Sequence, residues 1–208
     1  MKVATMYDSL KLPWSSSPSS AEEAYRNAGF VKTKGTIYLL PPEDSVLRTT
    51  FNAPPRPKSR MSSGANALCK HVERGGASSE KGIAHPFWSL PTGSNDNKSS
   101  IAAAILEQML ATAVWKNVML LHPGVAVYEI RNDKGYGMRW TLQVARDALV
   151  DVADIATERT ITHDTDQISD QNIDARQMQE GWCIQAVTFR GFVEPIEGIA
   201  IDGTRTDD

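Results

Sequence analysis

The sequence predicts an α+β domain: a mainly antiparallel sheet of five to six strands, one long helix packed on one face and a second helix flanking it. Three observations lead there. Within residues 98–142 the apolar spacing changes from three and four residues to two, the mark of a helix feeding a ribbon of strands. The turn Asn132-Asp133-Lys134-Gly135 separates VAVYEIR from YGMRWTL, so those two segments pair as neighbours. A last apolar stretch, WCIQAVTFRGFVEP, returns after a polar interval and ends at Pro195, which has no N–H to give a ladder.

Taken in order, Ser20-Ala21-Glu22-Glu23 has the Ser-x-x-Glu spacing of a capping box, and Gly29 suits the left-handed end of the helix it starts. FVKT, Lys34-Gly35 and TIYLL read as a hairpin stopped by Pro41-Pro42, with SVLRTTF as a further strand. Residues 1–51 are thus expected to be a helix and hairpin of the same sheet. Residues 52–82 are rich in Pro, Gly, Ser and cations, and read as a flexible loop or linker with one helical turn near 66–72. HPFWSLPTGS returns to the body, because burying Phe87 and Trp88 is worth about 1.5–3 kcal/mol each. In the long helix Ala102, Ile105, Leu106, Met109, Leu110 and Ala113 form the apolar face.

In the strand that follows, Val125 and Val127 share a face with Glu129, while Ala126, Tyr128 and Ile130 share the other. Apolar residues on both faces predict a strand covered on both sides. VARDALVDVADIATER reads as the flanking helix, over 144–160, and 161–180 as an exposed excursion. Strict alternation in the last strand puts Ile184, Ala186, Thr188, Arg190 and Phe192 opposite Cys183, Val187, Phe189 and Val193. Residues 83–199 then make the helix-plus-sheet core, and 200–208 a disordered tail.

Composition narrows the classes. Cys69 and Cys183 stand far apart, so no disulfide framework is expected. No stretch approaches the 18 or so apolar residues of a membrane span, and the N-terminus lacks a signal peptide's apolar core. The expectation is a soluble protein of the cytoplasm or nucleus. Residues 1–98 hold 13 Lys/Arg against 8 Asp/Glu, and residues 99–208 hold 9 against 17. An acidic second half argues against nucleic acid on the sheet, since phosphate contacts need cations.

Chemistry is sparse. His85, beside Phe87 and Trp88, and His122, in His-Pro-Gly, are the candidate acid/base residues, although a loop or turn histidine has a plainer use. Cys69-Lys70-His71 with His85 lacks a fourth ligand at a usable spacing, and His163-Asp-Thr-Asp lacks the carboxylates and glycine of a calcium loop. No metal and no cofactor are expected. Serine-elbow and phosphate-loop patterns are absent from the sequence. What stands out is a group of Arg, Tyr and Trp side chains, the types enriched where one surface grips another. Arg139, Arg190, Tyr136, Trp140 and Trp88 are the candidate binding residues.

The function expected on these grounds is a non-catalytic binding or adaptor module whose partner is a protein or a small anionic ligand. The alternative is a small enzyme acting on an anionic small molecule, with His85 or His122 as acid/base and Arg139 with Arg190 as a clamp. A third account leaves the aromatics in the core and pairs the arginines with Glu129 and Glu194. The three part on whether His85, His122, Arg139 and Arg190 share one cleft.

Overall fold

A computed structural model describes residues 11–74, 85, 87–122, 125–146 and 182–195. Among them four helices precede four strands: α1 (Ser20–Asn27), α2 (Asp44–Asn52), α3 (Ser63–Arg74), α4 (Asn95–Thr112), β1 (Trp115–His122), β2 (Val125–Arg131), β3 (Gly137–Arg146) and β4 (Trp182–Val193). The strands form one sheet in chain order, each antiparallel to the next. The α+β class and the antiparallel sheet stand. The described sheet has four strands rather than five or six, and several helices rather than one long one.

The differences lie before residue 75. The expected hairpin at 30–40 is instead a segment laid along the edge of β1. Val31 N–H donates to Lys116 O at 2.9 Å, Ile37 N–H to Val118 O at 3.0 Å and Leu120 N–H to Gly35 O at 2.9 Å, with one isolated bridge between Thr36 and Met119. This covers an edge that would otherwise be open to pairing. Gly35 permits the approach: it has φ +84°, and a Cβ there would lie 2.9 Å from Leu120 O.

SVLRTTF, read as a strand from its β-branched residues, belongs to α2. Leu47 and Phe51, four apart, are both fully buried, and Thr49 and Thr50 turn their hydroxyls back onto the carbonyls of Ser45 and Val46 at 2.8 and 3.0 Å. Burial of one helical face outweighs local preference here. Residues 63–74, expected to lie in a flexible loop with one turn, form the three-turn α3. Ser62 Oγ accepts the Ala65 N–H at 3.1 Å, and Ala65 and Leu68 are fully buried.

The helix face of the sheet carries a cross-strand row, Val118, Tyr128, Trp140 and Phe189, all buried. Phe51 of α2 meets Phe189 at 4.6 Å and Phe192 at 6.3 Å between ring centroids. Alternation would put those two phenylalanines on opposite faces. A bulge prevents it: Arg139 pairs with Gly191 while Trp140 pairs with Phe189, so Arg190 is the extra residue. On β2, Val127 and Glu129 are as enclosed as Ala126 and Ile130. Of the flanking helix expected over 144–160, residues 144–146 belong to β3, and the rest lies outside the described residues, as do 161–180 and the tail.

Candidate active site

The site lies where β4 ends. Arg131 Nη1 donates to Glu194 O at 2.8 Å and to Gly135 O at 2.6 Å, which ties the residue after β4 to the β2–β3 turn. Three donors then meet on a single oxygen, Glu194 Oε1. His85 Nε2 lies 3.0 Å from it, the Trp88 indole N–H 3.1 Å, and His71 Nε2 is hydrogen-bonded to it as well. His71 comes from the last turns of α3, and His85 and Trp88 from the segment before α4. Aromatic rings wall the cluster: Tyr136 stacks on Phe87 at 4.1 Å and 5°, and Phe192 lies 5.8 Å from the His71 ring.

Exposure separates the two histidines. The His85 side chain is 2% exposed, whereas His71 is 23% and Glu194 34% exposed, so solvent and a ligand reach only the latter pair. Hydrogen bonding separates them further. His85 Nδ1 accepts two backbone N–H groups, Phe87 at 3.1 Å and Trp88 at 2.9 Å. A neutral imidazole whose Nδ1 accepts carries its proton on Nε2. His85 therefore donates to Glu194 and has no lone pair at Nε2 to offer a proton or an ion.

The ligand atoms of His71, His85 and Glu194 lie within 4.8 Å of one another, a spacing a metal ion would accept. Ligation through His85 Nε2 would need the proton on Nδ1, where two N–H groups already point. The set fits a carboxylate held by two neutral donors, with His71 beside it, better than it fits a metal centre. Among the described residues Glu194 Oε2 has no hydrogen-bond partner.

Of the residues singled out from sequence, His85, Trp88 and Tyr136 come together here. The others do not. His122 pairs with Val125, at the opposite end of β1 from the Trp115–Arg131 pair, about 20 Å along the strand. Arg139 is bonded to Glu129, which is 1% exposed and also holds Arg131. Arg190 is exposed and reaches Thr141 Oγ1 at 3.5 Å. Thr141 lies two residues from Arg139, so both arginines sit on the sheet face away from the helices, with the sheet between them and Glu194. Trp140 is fully buried on the helix face and cannot meet a ligand. His71 and Glu194 were not among the candidate site residues, although a helical reading of 63–74 places His71 one turn after the buried Leu68.

A helix-covered antiparallel sheet thus carries a solvent-reachable His–Glu pair at its end. The chain is also similar to a particular family: the model of the CdiA C-terminal tRNase toxin domain matches residues 52–151, 100 of 208. The matched span holds α3, His71, His85, Trp88, α4 and β1 to β3, while β4 and Glu194 follow it. No curated protein and no solved structure matches.

This likeness to a toxin nuclease overturns the adaptor reading, the reading as an enzyme of small anionic molecules, and protein binding as the defining activity. It also conflicts with the exclusion of nucleic acid. Net charge does not settle the matter: with 22 Lys/Arg against 25 Asp/Glu the chain is close to neutral, and phosphate contacts depend on where cations stand on the surface rather than on the sum over half the sequence. No described helix is long and apolar enough to cross a membrane, and a nuclear location has no support.

Proposed function

We propose that the chain is a ribonuclease that cuts tRNA, with His71 and Glu194 as the proton-transfer pair and His85 and Trp88 as positioning residues. The observation that carries this is the convergence of three donors on Glu194 Oε1, which leaves Oε2 for chemistry. The likeness to a tRNase toxin domain supplies the substrate class.

RNA brings its own nucleophile. Glu194 accepts the proton of a ribose 2′-OH as that oxygen attacks the adjacent phosphorus. The bond from phosphorus to the 5′-oxygen breaks, and protonated His71 delivers a proton to the leaving oxygen. The products are a 2′,3′-cyclic phosphate and a 5′-hydroxyl. General acid–base groups of this kind contribute about 10²–10⁴-fold each. His85 and Trp88 hold the carboxylate without exchanging protons. Because tRNA is cytoplasmic, the reaction belongs to the cytoplasm of the cell the domain reaches. A cell that makes such a toxin needs an inhibitor, so a protein partner belongs to this reading too.

The test is cleavage of a total tRNA pool in chelator-treated buffer, with 5′-hydroxyl ends scored by kinase labelling. Glu194→Gln and His71→Ala should each lower the rate by about 10²–10⁴-fold while remaining folded by circular dichroism. Loss of activity on chelation with recovery on adding a divalent ion, or full activity in His71→Ala, would refute the assignment.

A further inference from the structure

The bulge in β4 opens a window on the sheet face away from the helices. Gly191 stands opposite Arg139 and has no side chain to lay over it; a Cβ there would meet nothing within 4 Å beyond its chain neighbours. Its φ of +147° is a conformation that other residues rarely adopt. Arg190, the extra residue of the bulge, lies on the same face and reaches Thr141 Oγ1 at 3.5 Å. Arg139 and Thr141 are two residues apart on β3, about 7 Å along the strand, so both guanidinium groups stand over one stretch of it. Solvent reaches this stretch. The Arg139 side chain is 22% exposed, and Arg190, Thr188 and Gln143 are exposed outright.

We infer that this window is a docking site for an RNA phosphodiester, held by Arg190, Arg139 and the Thr141 hydroxyl at a distance from the cut. It rests on the ribonuclease reading above and adds how a folded substrate is gripped away from the His–Glu pair.

Charge on the face favours an anion. Among the described strand residues its ionised side chains are Glu129, Arg131, Arg139 and Arg190, three cations to one carboxylate. Glu129 is shared by Arg131 and Arg139, and Arg131 is buried, so the unmet positive charge shows at Arg139 and Arg190. Each guanidinium is a planar fork of N–H donors that matches two phosphate oxygens at once, and a hydroxyl between them adds a third donor. No exposed aromatic ring lies on this stretch among the described residues, so the contact takes phosphate and does not read bases. The sheet separates it from Glu194. It therefore grips the body of the RNA rather than the nucleotides being cut.

The experiment measures binding of a 2′-O-methyl RNA hairpin, which lacks the nucleophile and stays whole, to the full chain by fluorescence anisotropy over a range of salt concentrations. Arg190→Ala should weaken binding about 10-fold or more and reduce the salt slope by about one, with the melting temperature unchanged. Arg139→Lys keeps a charge beside Glu129 but loses the fork, and should also weaken binding. Arg26→Ala removes an exposed cation of α1, which packs at the β1 edge, and should leave affinity and slope as they are. With tRNA as substrate, Arg190→Ala should raise KM and leave kcat unchanged. Parental affinity and slope in Arg190→Ala, or an equal loss in Arg26→Ala, overturns the site. Failure of the ribonuclease reading shows separately, as intact tRNA with the parent protein, whatever the binding arm reports.

Discussion

Replacing Gly64 with alanine tests whether α3 is packed as described. In an open helix the change stabilises by about 0.5–1 kcal/mol, because glycine gives up more backbone freedom. Here a Cβ would fall 2.1 Å from Cε1 and Cζ of Phe51. That ring is fully buried and has Phe189 at 4.6 Å and Phe192 at 6.3 Å, so it has nowhere to retreat. Overpacking of this kind costs about 1–3 kcal/mol. With so short an approach the upper end applies, leaving a net loss of about 2 kcal/mol, or a melting temperature about 4–8 °C lower for a chain this size. Urea denaturation followed by circular dichroism reads it directly. Phe51→Leu makes room, so the double variant should lose about 1 kcal/mol less than the two single losses together. A silent or stabilising Gly64→Ala, or strict additivity with Phe51→Leu, would mean that residues 63–74 do not rest on Phe51.

Glu129→Gln should cost about 3–5 kcal/mol in the same assay, because it leaves Arg131 and Arg139 without their shared carboxylate in a buried place; a loss under 1 kcal/mol would show the pair to be well solvated. Trp140→Ala should cost about 3–5 kcal/mol, and Trp140→Phe clearly less, since the buried indole N–H finds no acceptor among the described residues; equal losses would mean that the N–H is bonded after all. Burial pushes the Glu22 carboxyl up, but the Ser15 N–H and the Lys32 ammonium at 2.9 Å outweigh it and hold the group at about 2, against an ordinary 4.5. A depressed value gives stability that is full above about pH 4.5 and lost as pH falls toward about 2. Allowing for solvent around Lys32, the gap between the parent and Glu22→Gln should shrink by about 1–2 kcal/mol over that window; a gap independent of pH would refute it.

Elements whose spacing and end signals agree are legible in the sequence. α1 ends at Asn27 and is followed by Gly29, with φ +79°, and its N-cap is Ser19, one residue before the serine of the Ser-x-x-Glu spacing. The α4 face is right at Ala102, Leu106 and Met109, and the β2–β3 turn stands where Asn132 to Gly135 place it. What escapes is decided at long range. α2 looks like a strand until Leu47 and Phe51 have a sheet to bury against, and α3 hides in a polar stretch because only Ala65, Leu68 and their neighbours face inward. The site escapes for the same reason. His71 and Glu194 are 123 residues apart and meet only through the packing of α3 on β4. Period-two spacing sets Arg190 and Phe192 on one face, and the local sign of the bulge that separates them is the glycine at 191, inside the strand.

The last strand has a consequence for the timing of synthesis. β1, β2 and β3 follow one another within residues 115–146, whereas β4 and Glu194 arrive after a further 35 residues, 147–181. Helices α2 and α3, made long before, rest on β4 and on α4. A chain emerging from the ribosome therefore has its histidines early but receives the carboxylate late, on the strand that closes the core. On the ribonuclease reading proposed above, an incomplete chain lacks the Glu194 carboxylate that takes the ribose proton, so the ribosome that makes the protein does not work beside a competent enzyme until residue 194 has emerged and docked.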